Sequence, residues 1–130
     1  MWHRRQPAEP VRIADDVVRR LGRSLPGRSH GGVRVAALLH YGAVEIDPRH
    51  LVVWLLLDGR PADDLPEWLA IDPADMSGAE SVDPAWLLAL RAEVCDAFRA
   101  VDWPGPDAIR VLVDSADRVE AGGGWSYFRG

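Results

Sequence analysis

The chain has 130 residues, a formal net charge of −5 and a single cysteine, Cys95. That length leaves room for one core, and burying about two-thirds of the surface an unfolded chain exposes leaves such a core in no need of a staple. One cysteine excludes an intramolecular disulfide and every paired-cysteine zinc spacing, and no run approaches the roughly 18 apolar residues of a membrane span.

The first residues, MWHRRQPAEP, carry arginines with no apolar run of signal-peptide length behind them, so a cytoplasmic location is expected. Residues 1–9 are set apart as an N-terminal arm and a candidate for disorder, and residues 10–130 as a single α+β domain. From Pro10 to Leu25 the apolar residues Ala14, Val17, Val18, Leu21 and Leu25 recur at helical steps, and Pro10 suits a first turn. Asp15/Arg19 and Asp16/Arg20 are acid-before-base pairs one helical turn apart. LPGRSHGG then marks a loop.

Val33, Val35, Ala37, Leu39 and Tyr41 alternate with their neighbours and predict a strand. The alternation slips at Gly42, where a bulge or bend is expected before Val44 and Ile46 resume it. Asp47-Pro48-Arg49-His50 reads as a turn, and the unbroken apolar run LVVWLLL, residues 51–57, as a central strand covered on both faces. Residues 58–83 form a long connection with eight acids against the single Arg60, and a helical turn capped by Asp64 is expected over Leu65 to Ala70. A second helix starts cleanly, with Asp83 as cap and Pro84 at its first position, and Leu87, Leu90, Val94, Phe98 and Val101 form its apolar stripe. Ile109 to Val113 predicts another strand. After it, either Ser115 caps a short helix over Ala116 to Ala121, or Val119 and Glu120 belong to a hairpin; Trp125 to Phe128 reads as a last, edge strand. The order helix, strand, strand, helix, strand, strand predicts an α+β fold: a four-stranded, mostly antiparallel sheet with two helices packed on one face.

All basic side chains are arginine and none is lysine, the codon bias of a GC-rich bacterial genome. Residues 1–34 hold eight arginines against Glu9, Asp15 and Asp16, so the remainder of the chain is strongly acidic. Phosphate binding by those arginines would be salt-sensitive, but the acidic remainder and the lack of interleaved aromatics argue against nucleic acid.

The four histidines sit in no metal motif, and surface or turn positions are expected for them. Cys95 lies between Glu93 and Asp96, which oppose a thiolate, so it reads as a buried spectator. Gly122 to Gly124 is followed by a tryptophan rather than by a helix, and there is no Walker spacing, so nucleotide binding is not expected. Asp72, Asp75, Glu80 and Asp83 lack the spacing of a helical calcium loop. No cofactor and no metal are expected.

The C-terminal stretch IRVLVDSADRVEAGGGWSYFRG, with its strand, Ser115 start, Gly122 to Gly124 and closing Trp125-Ser126-Tyr127-Phe128, resembles the ends of small bacterial proteins of unknown function. Some proteins of that type look like immunity partners that neutralise toxins. The resemblance is structural and implies no catalytic residues.

Two function classes follow. In one, the chain is a non-enzymatic interaction domain in which the acidic connection, through Asp63, Asp64, Glu67 and Trp68, docks a basic protein. In the other, it is a ligand-binding protein or enzyme with a site around His40, Tyr41 and Glu45, near Trp54. An unpaired strand at Trp125 to Phe128 would also offer a homodimer edge.

Overall fold

A computed structural model describes residues 8–129. Helix α1, Ala8–Ser24, begins two residues before Pro10, so Ala8 and Glu9 belong to the domain, and the rest of the expected arm lies outside the described residues. The predicted stripe of Ala14, Val17, Val18, Leu21 and Leu25 is buried along its whole length.

After two residues of strand β1, Ser29–His30, strand β2 runs Val33–Tyr41 and pairs antiparallel with β3, Val52–Asp58. Strand β3 pairs on its other side, in parallel, with β5, Arg110–Ser115, because helix α2, Pro84–Arg99, carries the chain across between them. A two-residue strand β4, Leu69–Ala70, borders β5 antiparallel. The sheet is thus five-stranded and mixed, in the order β1-β2-β3-β5-β4, rather than four-stranded. The residues of β3 from Val52 to Leu57 are all buried, as the apolar run predicts for a strand with a layer on each side.

One face carries Val33, Val35, Val53, Leu55, Leu57, Val111 and Val113 against α1 and α2. The other carries Val52, Trp54, Leu56 and Leu112, and is covered by a third helix, α3, Ala116–Ala121, and by the C-terminal tail. Two helices pack on one face as expected; the third, on the opposite face, corrects the picture of a sheet covered on one side. Ser115 caps α3 by accepting from the Arg118 amide at 3.2 Å, which settles the tail in favour of the helix over the hairpin. Asp83 caps α2 by accepting from the Ala85 amide at 2.9 Å.

Three other expectations are corrected. The slip in β2 falls between Val35 and Ala37, not at Gly42, so Val33 and Val35 face the helices while Leu39 and Tyr41 join the opposite cluster. A bend does form at Gly42, as expected: at φ 122 it ends the strand and the chain folds back, but the alternation does not resume, since Val44 is buried while Ile46 is 76% exposed. No helical turn forms over Leu65 to Ala70. A 3-10 turn sits earlier, at Ala62–Asp64, and Leu69–Ala70 is β4. Finally, Gly124–Arg129 is a 3-10 helix, because Gly123 and Gly124 take φ 96 and 63 and turn the chain. The tail therefore supplies no edge strand for a homodimer. No helix among the described residues is long and apolar enough to cross a membrane.

A Cβ on Gly42 would lie 1.9 Å from the His50 carbonyl oxygen, whereas one on Gly22, in α1, would meet nothing within 4 Å. Gly42→Ala is expected to destabilise the fold by at least about 2 kcal/mol, and Gly22→Ala to stabilise it by about 0.5 kcal/mol. Urea unfolding monitored by circular dichroism reads both signs.

Candidate functional site

The described residues contain one fully buried carboxylate, Asp114, in the last turn of β5 before α3. An ionised carboxylate out of water must be paired and hydrogen-bonded. Here Oδ1 accepts from the Ser115 amide at 2.6 Å and from Arg118 Nη1 at 2.7 Å. Oδ2 accepts from the Tyr127 hydroxyl at 2.8 Å and from the Trp68 amide at 3.2 Å.

The rest of the Arg118 guanidinium is spent on backbone. Nη1 also donates to the Pro66 carbonyl at 3.1 Å and Nη2 to the Ala62 carbonyl at 2.5 Å. These carbonyls, engaged sideways, are drawn out of any helix over 65–70, and the Trp68 amide is taken by Asp114. One ion pair thus staples three segments together: the acidic connection, α3 and the tail.

The staple holds Trp68 at φ 47, a left-handed conformation that costs a non-glycine residue about 1 kcal/mol or more. Its ring meets Trp54 edge-on at 5.0 Å and lies 6.0 Å from Phe128 and 6.1 Å from Tyr127, yet Trp68 stays 45% exposed. Phe128 also contacts Trp54, Tyr41 and Trp125, and Trp125 is 51% exposed. Underneath, Trp54 Nε1 donates to the Tyr41 hydroxyl at 3.0 Å. An aromatic floor therefore carries two exposed tryptophans at its surface.

Asp63, Asp64 and Glu67, close to Trp68 in sequence, are exposed, as are Asp117 and Glu120 on α3, which packs on the 62–64 turn. None of these five carboxylates forms an ion pair among the described residues. Several charges elsewhere are matched: Arg28 with Glu93 at 2.7 Å, Arg34 with Asp58 at 2.8 Å, Arg49 with Asp47 at 2.8 Å and Arg99 with Asp107 at 2.5 Å. Arg49 holds the Asp47 carboxyl down at about 2, and the hydrogen bonds from Arg34 lower that of Asp58.

His40, Tyr41 and Glu45 are not brought together. Past the bulge, neighbours on β2 point to opposite faces. His40 Nε2 meets Asp15 Oδ1 of α1 at 2.9 Å, Tyr41 lies in the aromatic cluster, and Glu45 is exposed in the turn beyond. With Asp15 so engaged, Arg19 bonds Asp16 at 3.2 Å, and the two predicted i,i+4 pairs of α1 do not form. His30 meets Asp83 at 2.9 Å and lies over Trp86, and His50 contacts the Ala43 carbonyl. Cys95 is buried, and burial pushes its thiol pKa up. Among the described residues no three His, Cys, Asp or Glu side chains are placed to hold a metal.

Sequence reading missed Asp114, Arg118, Tyr127 and Trp125 as site residues. The available signal was an aspartate closing the apolar strand VLVDS with an arginine four residues on. Comparison of the chain with protein-family models, with curated proteins and with solved structures gives no match.

Burial first, and then the Asp114 carboxylate that accepts its proton, push the Tyr127 hydroxyl up to about 12. Because the folded value is raised, the stabilisation is present in full below the unfolded value of about 10 and is lost as pH climbs beyond it. The Tyr127 ¹³Cζ resonance should titrate near 12, and in Asp114→Asn it should move toward 10; a wild-type midpoint near 10 contradicts the network. Arg118→Met, which strands the buried carboxylate, is expected to cost about 3 kcal/mol in chemical unfolding.

Proposed function

We propose that the acidic, aromatic face formed by the 62–68 segment, α3 and the tail docks a basic surface on another protein, and that the chain is a non-enzymatic interaction domain. The observation that carries this reading is Trp68. Its backbone is strained to φ 47 and tied to a buried carboxylate, while the residue is left 45% exposed in a segment whose acids form no ion pair among the described residues. A tryptophan serving only as core would gain by burial, at about 25 cal/mol per Å² of apolar surface. A tryptophan fixed in place and left open is the form a binding anchor takes.

Two further features support the reading. In sheets with parallel strands, ligands commonly bind beyond the carboxyl ends of those strands. At the carboxyl end of β5 that space is filled by the Arg118 guanidinium and its carbonyl partners. The resemblance of the C-terminal stretch to small bacterial proteins, some of them immunity-like, implies the same class of work: capping a partner rather than turning over a substrate.

Immobilised protein incubated with lysate of its source cells should retain a basic protein at low salt and release it at high salt. Retention should be lost in Asp63→Asn/Asp64→Asn/Glu67→Gln and in Trp68→Ala. A partner whose binding is indifferent to both variants contradicts the proposal.

A further inference from the structure

The unpaired acids have a counterpart on the same molecule. Helix α1 turns Arg12, Arg19, Arg20 and Arg23 to solvent; Arg20 and Arg23 have no acidic partner among the described residues, and Arg19, Arg20 and Arg23 line a shallow trough with Asp16. Arg20 and Arg23 on one side and the acids around the 62–68 segment and α3 on the other are thus charges of opposite sign, on one chain, that no ion pair among the described residues neutralises.

Their placement matters. Helix α1 runs alongside β2 so that Asp15 lies at His40 and the turn after the helix reaches Val35, where the Gly27 amide donates to the Val35 carbonyl at 2.9 Å. Arg19, Arg20 and Arg23 thus lie toward the end of the sheet marked by Arg34 and Asp58, which are register partners. The acidic segment leaves the same end, directly after Asp58; its Leu65 and Leu69 pack into the core shared with α1 and α2, while the Trp68 ring reaches Trp54 and the tail on the opposite face. The arginine strip of one copy and the acidic face of another are complementary in charge.

We propose that the basic partner of the acidic, aromatic face is a second copy of this chain, whose α1 arginine strip packs over Trp68. This rests on the reading of that face as a docking surface. The contact joins two different patches, so it is heterologous and does not pair them off in a two-fold dimer; each added copy uses one patch and exposes the other. Cation–π contact between a strip arginine and the Trp68 ring supplies the attraction that exposed charge alone would supply weakly in salt. The net charge of −5 on every copy opposes long assemblies, so the product is a salt-sensitive, concentration-dependent series of short oligomers.

Sedimentation velocity on the full chain tests this. At low salt the weight-average sedimentation coefficient should rise with concentration without a plateau at the dimer, and the rise should be lost at high salt. Arg20→Glu/Arg23→Glu and Asp63→Arg/Asp64→Arg, all at exposed positions, should each abolish the rise alone, and an equimolar mixture of the two variants should restore it. A chain that is monomeric at every concentration at low salt overturns the proposal, as does a mixture that fails to associate. A short arginine-rich peptide, followed by its effect on the Trp68 indole N–H resonance, separates the two readings. Peptide binding by a monomeric chain overturns only the second-copy assignment, whereas a monomeric chain that ignores the peptide overturns the docking face as well.

Discussion

A carboxylate placed wholly out of water has to collect donors, and Asp114 draws in a strand end, a helix, a loop and the tail to supply them. Removing Arg118 alone would leave the carboxylate charged and under-bonded; removing the carboxylate would leave a guanidinium whose remaining partners are carbonyls. Such buried pairs contribute little net stability compared with apolar replacements, but breaking one side is expensive. What the pair supplies is a particular arrangement: it ties the 62–68 segment, which contains just one short turn of its own, across the end of β5. The rest of this acidic connection is anchored by Leu65, Ile71, Ala79 and Val82 in the core and by the pairing of β4 with β5, and the ion pair adds a tie at 62–68.

Much of the scaffold was legible because it is written in local patterns. The stripe of α1, the capped start of α2 at Asp83-Pro84 and the doubly covered run at 51–57 each rest on residues close in sequence and appear in the structure, and so does the Ser115 start of α3, which the sequence left open against a hairpin. The failures share a cause. Strands β1 and β4 are two residues long, too short to show any period. The bulge in β2 falls within Val35-Ala36-Ala37-Leu38-Leu39, where residues on both sides are apolar and a slip leaves no mark in the pattern. The tail looked extended because it is aromatic; glycines at 123 and 124 turn it instead, and its rings find Trp54 from a compact 3-10 helix.

The candidate site was half legible. Asp63, Asp64, Glu67 and Trp68 stand out by composition, and the structure places all four at the surface. Composition cannot reveal that Trp68 and Trp125, far apart in sequence, share one aromatic floor through Phe128, or that Asp114 lies beneath them. Those relations are set by the parallel pairing of β3 with β5, which depends on α2 crossing between them. The alternative trio is dispersed because His40 and Tyr41, as neighbours in one strand, point to opposite faces, His40 to Asp15 and Tyr41 to the aromatic cluster, while Glu45 lies beyond the strand.

Rigidity is what distinguishes this face from an ordinary acidic loop. Binding through a mobile segment must order that segment, at about 1–2 kcal/mol per residue of backbone fixed. Here the ordering has already been done by Arg118, which engages the carbonyls of Ala62 and Pro66, and by Asp114, which holds the Trp68 amide. Under the proposed docking, a partner would find an indole already oriented over its aromatic support and carboxylates already unpaired, leaving most of the contact free energy for affinity. Under the same proposal the acids near Trp68 would favour approach by a basic surface and disfavour an acidic one. A buried ion pair that adds little to stability is then well placed, because its effect is felt at the surface, in a tryptophan that cannot turn inward.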